Sequence, residues 1–377
     1  MRIGFACQWD RNDRKRTWSH TPYHLLSALK HVAGQAIIDV PMELPRIAEF
    51  LVKLRYAQRH PTGLLTVASW TPAMYALRHA ALRRALAMGD RCDAVITIGE
   101  HGPIHLPQFV YQDQSVGQFI EYFEQHGVMA DVRDVPPMPI LRRRTEIEQE
   151  TYATLSGVLT MSQWNARHVI GTGRIAAERV HVVGAGINVA SDLPTQEDVA
   201  RRLGAAMRRV LFVGRHFHRK GGDIVVAGVD HARQLSGKNI QLIVAGPTKW
   251  PMPGQPPSWV DFIGDAPLER VQKELRTADA LALPSRFEAY GIAVLEALAG
   301  GVPVIGRNDF AMPEMIEAGQ TGELVSSDDP SEFAERLLHV LGNEHMALQT
   351  LNRAPDVRHR HSWLTVAENI LSIIRTS

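Results

Sequence analysis

Short apolar runs alternate with longer amphipathic stretches along nearly the whole chain of 377 residues. The stretch Trp363–Ile374 is typical of the longer kind, because its apolar residues recur at the three- and four-residue spacing of a helix. Strands that alternate with helices build parallel sheets, whose strands are apolar throughout because helices cover both faces. The sequence therefore predicts an α/β fold, with strands at Ile3–Cys7, Ile37–Val40, Leu64–Val67, Ala94–Ile98, Phe109–Tyr111, Gly157–Met161, Val180–Val183, Val210–Val213, Leu242–Ala245, Phe262–Ile263, Ala280–Pro284, Val302–Ile305 and Glu323–Val325.

The chain is too long for one ordinary domain, since single domains usually contain roughly 100 to 200 residues. The series of strands is interrupted between about residues 186 and 207, where a polar stretch has no strong apolar period. We therefore predict two doubly wound, Rossmann-like domains, residues 1–190 and 208–361, which face each other and are joined by a linker at residues 191–207. Residues 362–377 contain the last predicted helix.

The charges nearly cancel, with 41 Lys and Arg against 40 Asp and Glu. No overall field attracts the chain to a polyanion, so a nucleic-acid partner is not predicted. Two short basic runs, Arg11–Arg16 and Arg142–Arg144, are interpreted as solvated faces. Peripheral contact with a lipid surface, or with an anionic acceptor, is the alternative for these runs.

The two cysteines, Cys7 and Cys92, are too few for a disulfide scaffold and suit a reducing compartment. The apolar run at the N-terminus, Ile3–Cys7, is too short for a signal peptide, and no run is long enough for a membrane span. We therefore expect a cytoplasmic protein.

The first chemical signal is the segment Val210–Asp223, in which a strand leads through Gly214 to a loop with Arg215 and Lys220. A glycine pair then opens a helix. Ligands of open α/β sheets bind at this carboxyl edge of the strands, and two cations on one loop suit a diphosphate. The alternative is a solvated basic loop, because Arg219 lies there too.

The second signal is the segment Leu283–Ile305, which contains two glutamates eight residues apart, Glu288 and Glu296. Gly291 marks the predicted turn into a helix, which leaves Glu288 in the preceding loop and Glu296 in the second turn. The amides at Gly291 and Ile292 then offer an anion site at the helix N-terminus. Because the rest of this helix is apolar, Glu296 needs a polar partner, such as a pair of sugar hydroxyls.

Together these motifs resemble the C-terminal domain of the retaining GT-B glycosyltransferases of family 4, the group 1 type. The resemblance is close over residues 210–325 and looser over the first half of the chain. It depends on the order and spacing of Gly214 and Arg215 with Lys220, Gly264, Pro284 and Ser285, Glu288 with Glu296, Gly300–Pro303, Pro313 and Glu314, and Gly319 with Gly322, and in the first half on Trp18–Tyr23, Ser162–Asn165 and Val182–Asn188.

The resemblance implies a GT-B fold, in which residues 1–190 form the acceptor-side domain and residues 208–361 the donor domain, across a cleft. The final helix would cross back to the first domain. Arg215 and Lys220 would neutralise the donor diphosphate and act in catalysis, Glu288 would contact the transferred sugar, and Glu296 would hold the ribose. Further donor contacts are implied for Gly214, Gly264, Asp265, Ala289, Tyr290, Gly291 and Ile292.

Two departures from the family pattern add candidates. The loop after the first strand commonly has glycine, whereas this chain has Ser19 and His20, so His20 is a candidate for donating to phosphate. A histidine that the family often has near the active centre is replaced by Gln112 and Asp113. Asp113 is therefore a catalytic candidate that would touch sugar or acceptor.

The predicted function is transfer of a sugar, with retention, from a nucleotide-diphosphate sugar to a sugar, glycan, lipid or small-molecule acceptor. No cofactor or metal is expected, because the chain lacks an Asp-x-Asp triplet and His216 and His218 lack a third ligand. The alternatives are a nucleotide-sugar epimerase or another enzyme on the same fold, and a two-lobed sugar-binding protein without activity.

Overall fold

The structure, a computed structural model, describes residues 1–60, 63–127, 137–188 and 193–377. Contacts divide the chain into two compact units. The first contains the described residues up to Gly186 together with Ser362–Ser377, and the second contains the described residues of Ile187–His361. The predicted boundary between residues 190 and 191 lies outside the described residues.

A parallel sheet of six strands forms the centre of the first unit, in the order β2-β1-β5-β6-β7-β8. Its central strands are buried along their whole length, as expected for strands covered on both faces. The elements are β1 (Ile3–Cys7), α1 (Thr21–Ala33), β2 (Ile37–Pro41), α2 (Arg46–Arg55), an antiparallel hairpin of β3 (Ala57–His60) and β4 (Gly63–Thr66), α3 (Pro72–Met88), β5 (Ala94–Ile98), β6 (Gln108–Gln112), α4 (Val116–His126), α5 (Met138–Tyr152), β7 (Gly157–Thr160), α6 (Gln163–Gly171) and β8 (Val180–Val182).

The second unit repeats this plan, with a parallel sheet of six strands in the order β11-β10-β9-β12-β13-β14. One continuous apolar cluster of its strands and helices forms the core. The elements are α7 (Gln196–Leu203), β9 (Met207–Val213), α8 (Gly222–Ser236), β10 (Asn239–Ala245), β11 (Val260–Gly264), α9 (Leu268–Thr277), β12 (Ala280–Leu283), α10 (Ile292–Ala299), β13 (Val304–Arg307), α11 (Met312–Met315), β14 (Gly322–Val325), α12 (Pro330–Gly342) and α13 (Glu344–Arg360).

The predicted α/β fold with two doubly wound parallel sheets is confirmed, and every predicted strand overlaps an observed one. The described part of the stretch predicted as a linker, residues 193–207, contains helix α7. Thr195 starts α7 with a capping box, and Val199 packs against Ala347 and Leu351. Val199 is the one buried residue of α7, which is why the sequence shows no apolar period here.

The last helix, α14 (Trp363–Thr376), belongs to the first unit, where it packs against α1. Ser362 starts α14 by accepting a hydrogen bond from the Thr365 amide. Its apolar stripe, which includes Val366, Ile370 and Ile374, is buried.

Both sheets have a switch point, where the chain first adds strands on one side and then returns to the other. In the first sheet it lies between β1 and β5, and in the second between β9 and β12. The loops that follow these strands diverge at the carboxyl edge and leave room for a ligand. Each unit therefore contains one position at which a binding site is expected.

Candidate functional site

Two loops meet at the switch point of the second sheet. The loop 214–221 follows β9, and the loop 284–291 follows β12. They are held together by backbone hydrogen bonding, since the Arg286 amide donates to the Arg219 carbonyl at 2.8 Å. Predicted site residues in both loops are therefore brought to one place.

The glycines of the first loop permit this close approach. A Cβ atom at Gly214 would lie 2.7 Å from Cδ of Lys220, whose side chain lies over that glycine. At Gly221, φ is +75°, and a Cβ atom would lie 2.4 Å from the Pro284 carbonyl oxygen. Only glycine fits such a position without moving the second loop.

An ion pair joins the two loops at their centre. Lys220 Nζ donates to Glu288 Oε2 at 2.7 Å, and the side chains are 18% and 12% exposed. Burial raises the pKa of Glu288, but the charges of Lys220 and Arg219 and the Lys220 hydrogen bond outweigh it and hold this pKa below its ordinary value. Glu288 is therefore a charged hydrogen-bond acceptor at neutral pH, positioned by Lys220.

The second glutamate, Glu296, lies in α10, which begins after Gly291 in a left-handed conformation with φ +91°. Burial raises the pKa of Glu296 to about 7, although the Asn188 amide donates to its carboxylate and Lys220 is nearby. The sequence prediction that an isolated glutamate on this apolar helix needs a partner is met by Asn188. Ala289 and Tyr290, just before the helix, are buried.

Arg215 is different from Lys220, because its side chain is 76% exposed. It contacts Asp265 at 3.2 Å, beyond Gly264 at the end of β11. Gly264 has φ +68°, and its carbonyl accepts from the Gly246 amide at 2.7 Å. The structure thus brings together Arg215 and Asp265, two predicted donor-binding residues from different loops.

A partly buried network behind the two loops was not predicted. Arg286 donates to both carboxylate oxygens of Asp223, at 2.7 and 2.8 Å, and to Asp328. Arg307 donates to the carbonyls of Pro284 and Ser285. These contacts fix the backbone before Glu288, and no local motif marks them because the partners are far apart in sequence.

The alternative of a solvated basic loop does not hold for Arg219. Its Nη1 donates to the Phe287 carbonyl at 2.7 Å, so this cation supports the second loop.

The switch point of the first sheet contains a cavity of about 380 Å³. Asp113, which follows β6, lies in its wall, whereas His20 does not. His20 is the residue before α1 and has φ +71°, with Trp18 and Ser19 also in the left-handed region. Left-handed backbone is costly for these residue types, by roughly 1 to 3 kcal/mol each, so the surrounding structure must enforce it.

Several polar side chains that the sequence analysis did not place in a site line this cavity. One of them, Arg144, was interpreted as part of a solvated basic face, and that interpretation is wrong for Arg144 because its side chain is buried. Arg144 donates to Glu100 at 2.5 Å, and its second terminal nitrogen has no hydrogen-bond partner among the described residues. Both ring nitrogens of the buried His101 are likewise unpartnered within that part of the chain. Burial, with a smaller effect of the Arg78 charge, lowers the pKa of His101 to about 3. The wall of the cavity therefore contains an unpartnered guanidinium nitrogen and a neutral imidazole.

Glu148 completes the polar wall of the cavity. It accepts hydrogen bonds from the amides of Val116 and Gly117 at the start of α4. Burial raises the pKa of Glu148 to about 7 despite the nearby Arg144 charge and these hydrogen bonds.

The two sheets, their strand order and the loops at their switch points match the GT-B fold, as predicted. Similar folds occur in the sucrose-phosphate synthase of Thermosynechococcus elongatus, with a TM-score of 0.70, 15% identity and coverage of 100% of this chain and 99% of the other. The Anabaena protein HepE, solved in complex with UDP and glucose, gives a TM-score of 0.64 at 14% identity, with 100% of both chains covered.

Residues 202–356, in the second unit, match the family model described as glycosyl transferases group 1. D-inositol 3-phosphate glycosyltransferases are similar in sequence. That of Corynebacterium efficiens is 26% identical over 215 residues, which are 52% of this chain and 50% of the relative. That of Nocardia farcinica is 26% identical over 252 residues, 62% of this chain and 55% of the relative. The chain thus matches about half the length of these relatives.

Proposed function

We propose that this protein is a retaining glycosyltransferase, which moves a sugar from a nucleoside-diphosphate sugar to a hydroxyl group of a sugar, glycan, lipid or small-molecule acceptor. The observation that carries the proposal is the Lys220–Glu288 pair at the switch point of the second sheet. A cation for phosphate and a charged acceptor for sugar hydroxyls lie side by side there, within the residues that match the group 1 family model.

Arg215 and Lys220 are proposed to hold the diphosphate. The exposed Arg215 is paired only loosely with Asp265, so it is able to turn from that carboxylate to a phosphate group. Each charge-assisted hydrogen bond to phosphate contributes roughly 1.5 to 3 kcal/mol. Gly214 leaves room for the Lys220 side chain, and Asp265 with Gly264 would border the base.

The two glutamates are proposed to hold the sugar and the ribose. Glu288 is kept ionised by Lys220 and therefore suits the hydroxyls of the transferred sugar. Glu296 is proposed to accept from the ribose hydroxyls, and the amides of Ala289 to Ile292 to face the sugar and phosphates.

In the proposed reaction, the bond between the anomeric carbon and the diphosphate oxygen breaks, and its electron pair leaves with that oxygen. Fixed cations at this oxygen stabilise the charge where it develops, so Arg215 and Lys220 act in catalysis as well as in binding. The acceptor oxygen bonds to the same face of the sugar, and its proton passes to the departing phosphate. We propose no covalent intermediate and no metal in this step.

The cavity of the first unit is proposed as the acceptor site. Its mixture of unpartnered donors, on Arg144 and His101, and of a carboxylate, Asp113, fits a ligand rich in hydroxyl groups. Asp113 would orient the attacking hydroxyl. His20 is proposed only as an auxiliary contact to phosphate, because it lies outside the cavity wall. A cytoplasmic location, where nucleotide sugars are made, is part of the proposal.

The test measures donor binding and turnover in matched variants. UDP, GDP, ADP and TDP are added in thermal-shift assays, where a nucleotide at 100 times its Kd stabilises by about 2.7 kcal/mol. The responding nucleotide identifies the donor base. The corresponding nucleotide sugars are then incubated with and without candidate acceptors, and the products are analysed by NMR to establish the configuration at the anomeric carbon.

The decisive variant is Arg215→Ala, because an exposed side chain can be removed without loss of stability. We expect turnover to fall roughly 10- to 100-fold, whereas Arg276→Ala on α9, also exposed, leaves it unchanged. Absence of any nucleotide response, or equal turnover of the two variants, would refute the assignment. An isomerised donor without transfer would instead identify an epimerase.

A further inference from the structure

One helix of the first unit presents an apolar face to solvent. Ile47, Phe50, Leu51 and Leu54 of α2 are 56% to 77% exposed. Their spacing is i, i+3, i+4 and i+7, which places them on one stripe of the helix. Single exposed apolar residues are normal on a protein surface, but four in one stripe mark an interaction site.

This stripe is not the face that holds α2 in the fold. Val52, on the other side of the helix, packs with Tyr56 into a cluster that contains Leu44 and Met74. At 100° per residue, the four exposed side chains span an arc of about 100°, centred well away from Val52. The helix therefore carries two apolar faces, of which one is used within the unit.

Basic residues flank the exposed stripe on both sides. Arg46 and Lys53 lie along one edge of the arc and Arg55 along the other. The one carboxylate of the helix, Glu49, is 12% exposed and engaged by Lys53 at 2.7 Å and Arg11 at 2.5 Å. The outward side of α2 is consequently apolar in the middle and positive at its edges.

We propose that α2 docks on the surface of an anionic lipid bilayer, with the apolar stripe at the boundary between headgroups and acyl chains. Apolar residues flanked by Lys and Arg are what a helix needs to lie in this interface, since the stripe enters the bilayer while the cations meet anionic headgroups. No helix in the described part of the chain is long and apolar enough to cross a bilayer, so contact through α2 would be peripheral.

The basic run Arg142–Arg144 is less suited to this role than α2. Arg142 is paired with Glu124 and Arg143 with Glu146, while Arg144 is buried against Glu100. The charges of this run are therefore balanced by carboxylates. The proposal is independent of the glycosyl transfer proposed above and would place that reaction at a membrane surface.

Co-sedimentation with phospholipid vesicles tests the proposal on the full chain. We expect binding to vesicles of equimolar phosphatidylcholine and phosphatidylglycerol, weaker binding to phosphatidylcholine alone, and release as salt is raised, because the headgroup attraction is screened. The double variant Phe50→Gln with Leu54→Gln should bind the anionic vesicles at least about tenfold more weakly, because less apolar area enters the bilayer. Leu235→Gln, at an exposed leucine of α8, is the matched control and should bind as the unaltered chain does.

A second variant separates the charge from the apolar contribution. Arg46→Gln with Arg55→Gln should weaken binding to anionic vesicles and leave binding to neutral ones unchanged. Failure of the unaltered chain to bind anionic vesicles, or equal binding by the Phe50 and Leu54 variant, overturns the proposal. Self-association in sedimentation velocity that the same variant abolishes, without vesicle binding, would assign the stripe to a second copy of this chain instead. Unchanged circular dichroism of each variant confirms that the fold is intact.

Discussion

Replacing Lys220 by Met should destabilise the second unit in a manner that depends on pH. The substitution keeps the apolar length of the side chain and removes the cation that holds Glu288. Removing one partner of a fully buried ion pair costs roughly 3 to 5 kcal/mol, because the other charge stays uncompensated. The two side chains are still 18% and 12% exposed, so contact with water lowers this cost. We therefore expect the substitution to lower the free energy of unfolding by about 2 to 3 kcal/mol at about pH 7.5.

The pH dependence follows from the sign of the pKa shift of Glu288. In the unaltered chain this pKa lies below its ordinary value, so the carboxylate stabilises the fold above the unfolded pKa and that contribution is lost as the pH falls. Without Lys220, burial is the main remaining influence and raises the pKa of Glu288. The variant then becomes relatively more stable as the pH falls, and its deficit should shrink towards about pH 4.5.

The assay is equilibrium unfolding in urea, followed by circular dichroism, at both pH values. A deficit of 2 kcal/mol corresponds to about a 30-fold smaller folding constant, which is well within the range of the method. Lys220→Met with Glu288→Gln should recover part of the stability, because the uncompensated charge is gone, and Lys273→Met on α9 is the control for loss of an exposed lysine. The reasoning fails if the deficit is the same at both pH values or if the double variant is no more stable than Lys220→Met.

Three further outcomes follow from the structure. Nucleotide affinity should rise about fivefold between about pH 6 and about pH 8, because Glu296, whose pKa is raised to about 7, ionises and becomes a stronger hydrogen-bond acceptor. Titration calorimetry of Glu296→Gln should show no such dependence on pH, and a dependence that persists would exclude Glu296 as its source. Gly221→Ala should lower the thermal midpoint by several degrees, because its Cβ meets the Pro284 carbonyl and φ is +75°, and an unchanged midpoint would contradict the close approach of the loops. Thr195→Ala should cost about 1 kcal/mol in urea unfolding through loss of the α7 cap, whereas Thr195→Ser should cost little, and equal losses would show that the hydroxyl does not act as a cap.

Much of the donor site could be predicted from the sequence because its residues lie on loops that follow recognisable strands. Lys220 and Glu288 come seven and five residues after the ends of their strands, within turns marked by Gly221 and Gly291. Once the fold was predicted to be parallel, both loops had to emerge at the carboxyl edge of one sheet. The contact between them, across 68 residues of sequence, then followed from the strand order.

The unpredicted features depend on contacts that have no local signal. Arg286 and Asp223 are 63 residues apart, and Arg144 meets Glu100 across 44 residues, so neither pair leaves a pattern in either segment. Helix α2 is a further example. Its apolar residues follow a helical period, but the sequence does not show that only one of its two apolar faces is covered.

The sequence by itself determined the order of the strands in the two parallel sheets, the division into two similar sheets and the loops that carry the donor-site residues. Those features depend on local periodicity and on glycine, which act within a few residues. The tertiary structure decided which charges pair, which stay unpartnered in the cavity of the first unit, and which residues adopt strained backbone, as Ser19 and His20 do. Such choices depend on the three-dimensional surroundings, because burial and neighbouring charges act through space and not along the chain.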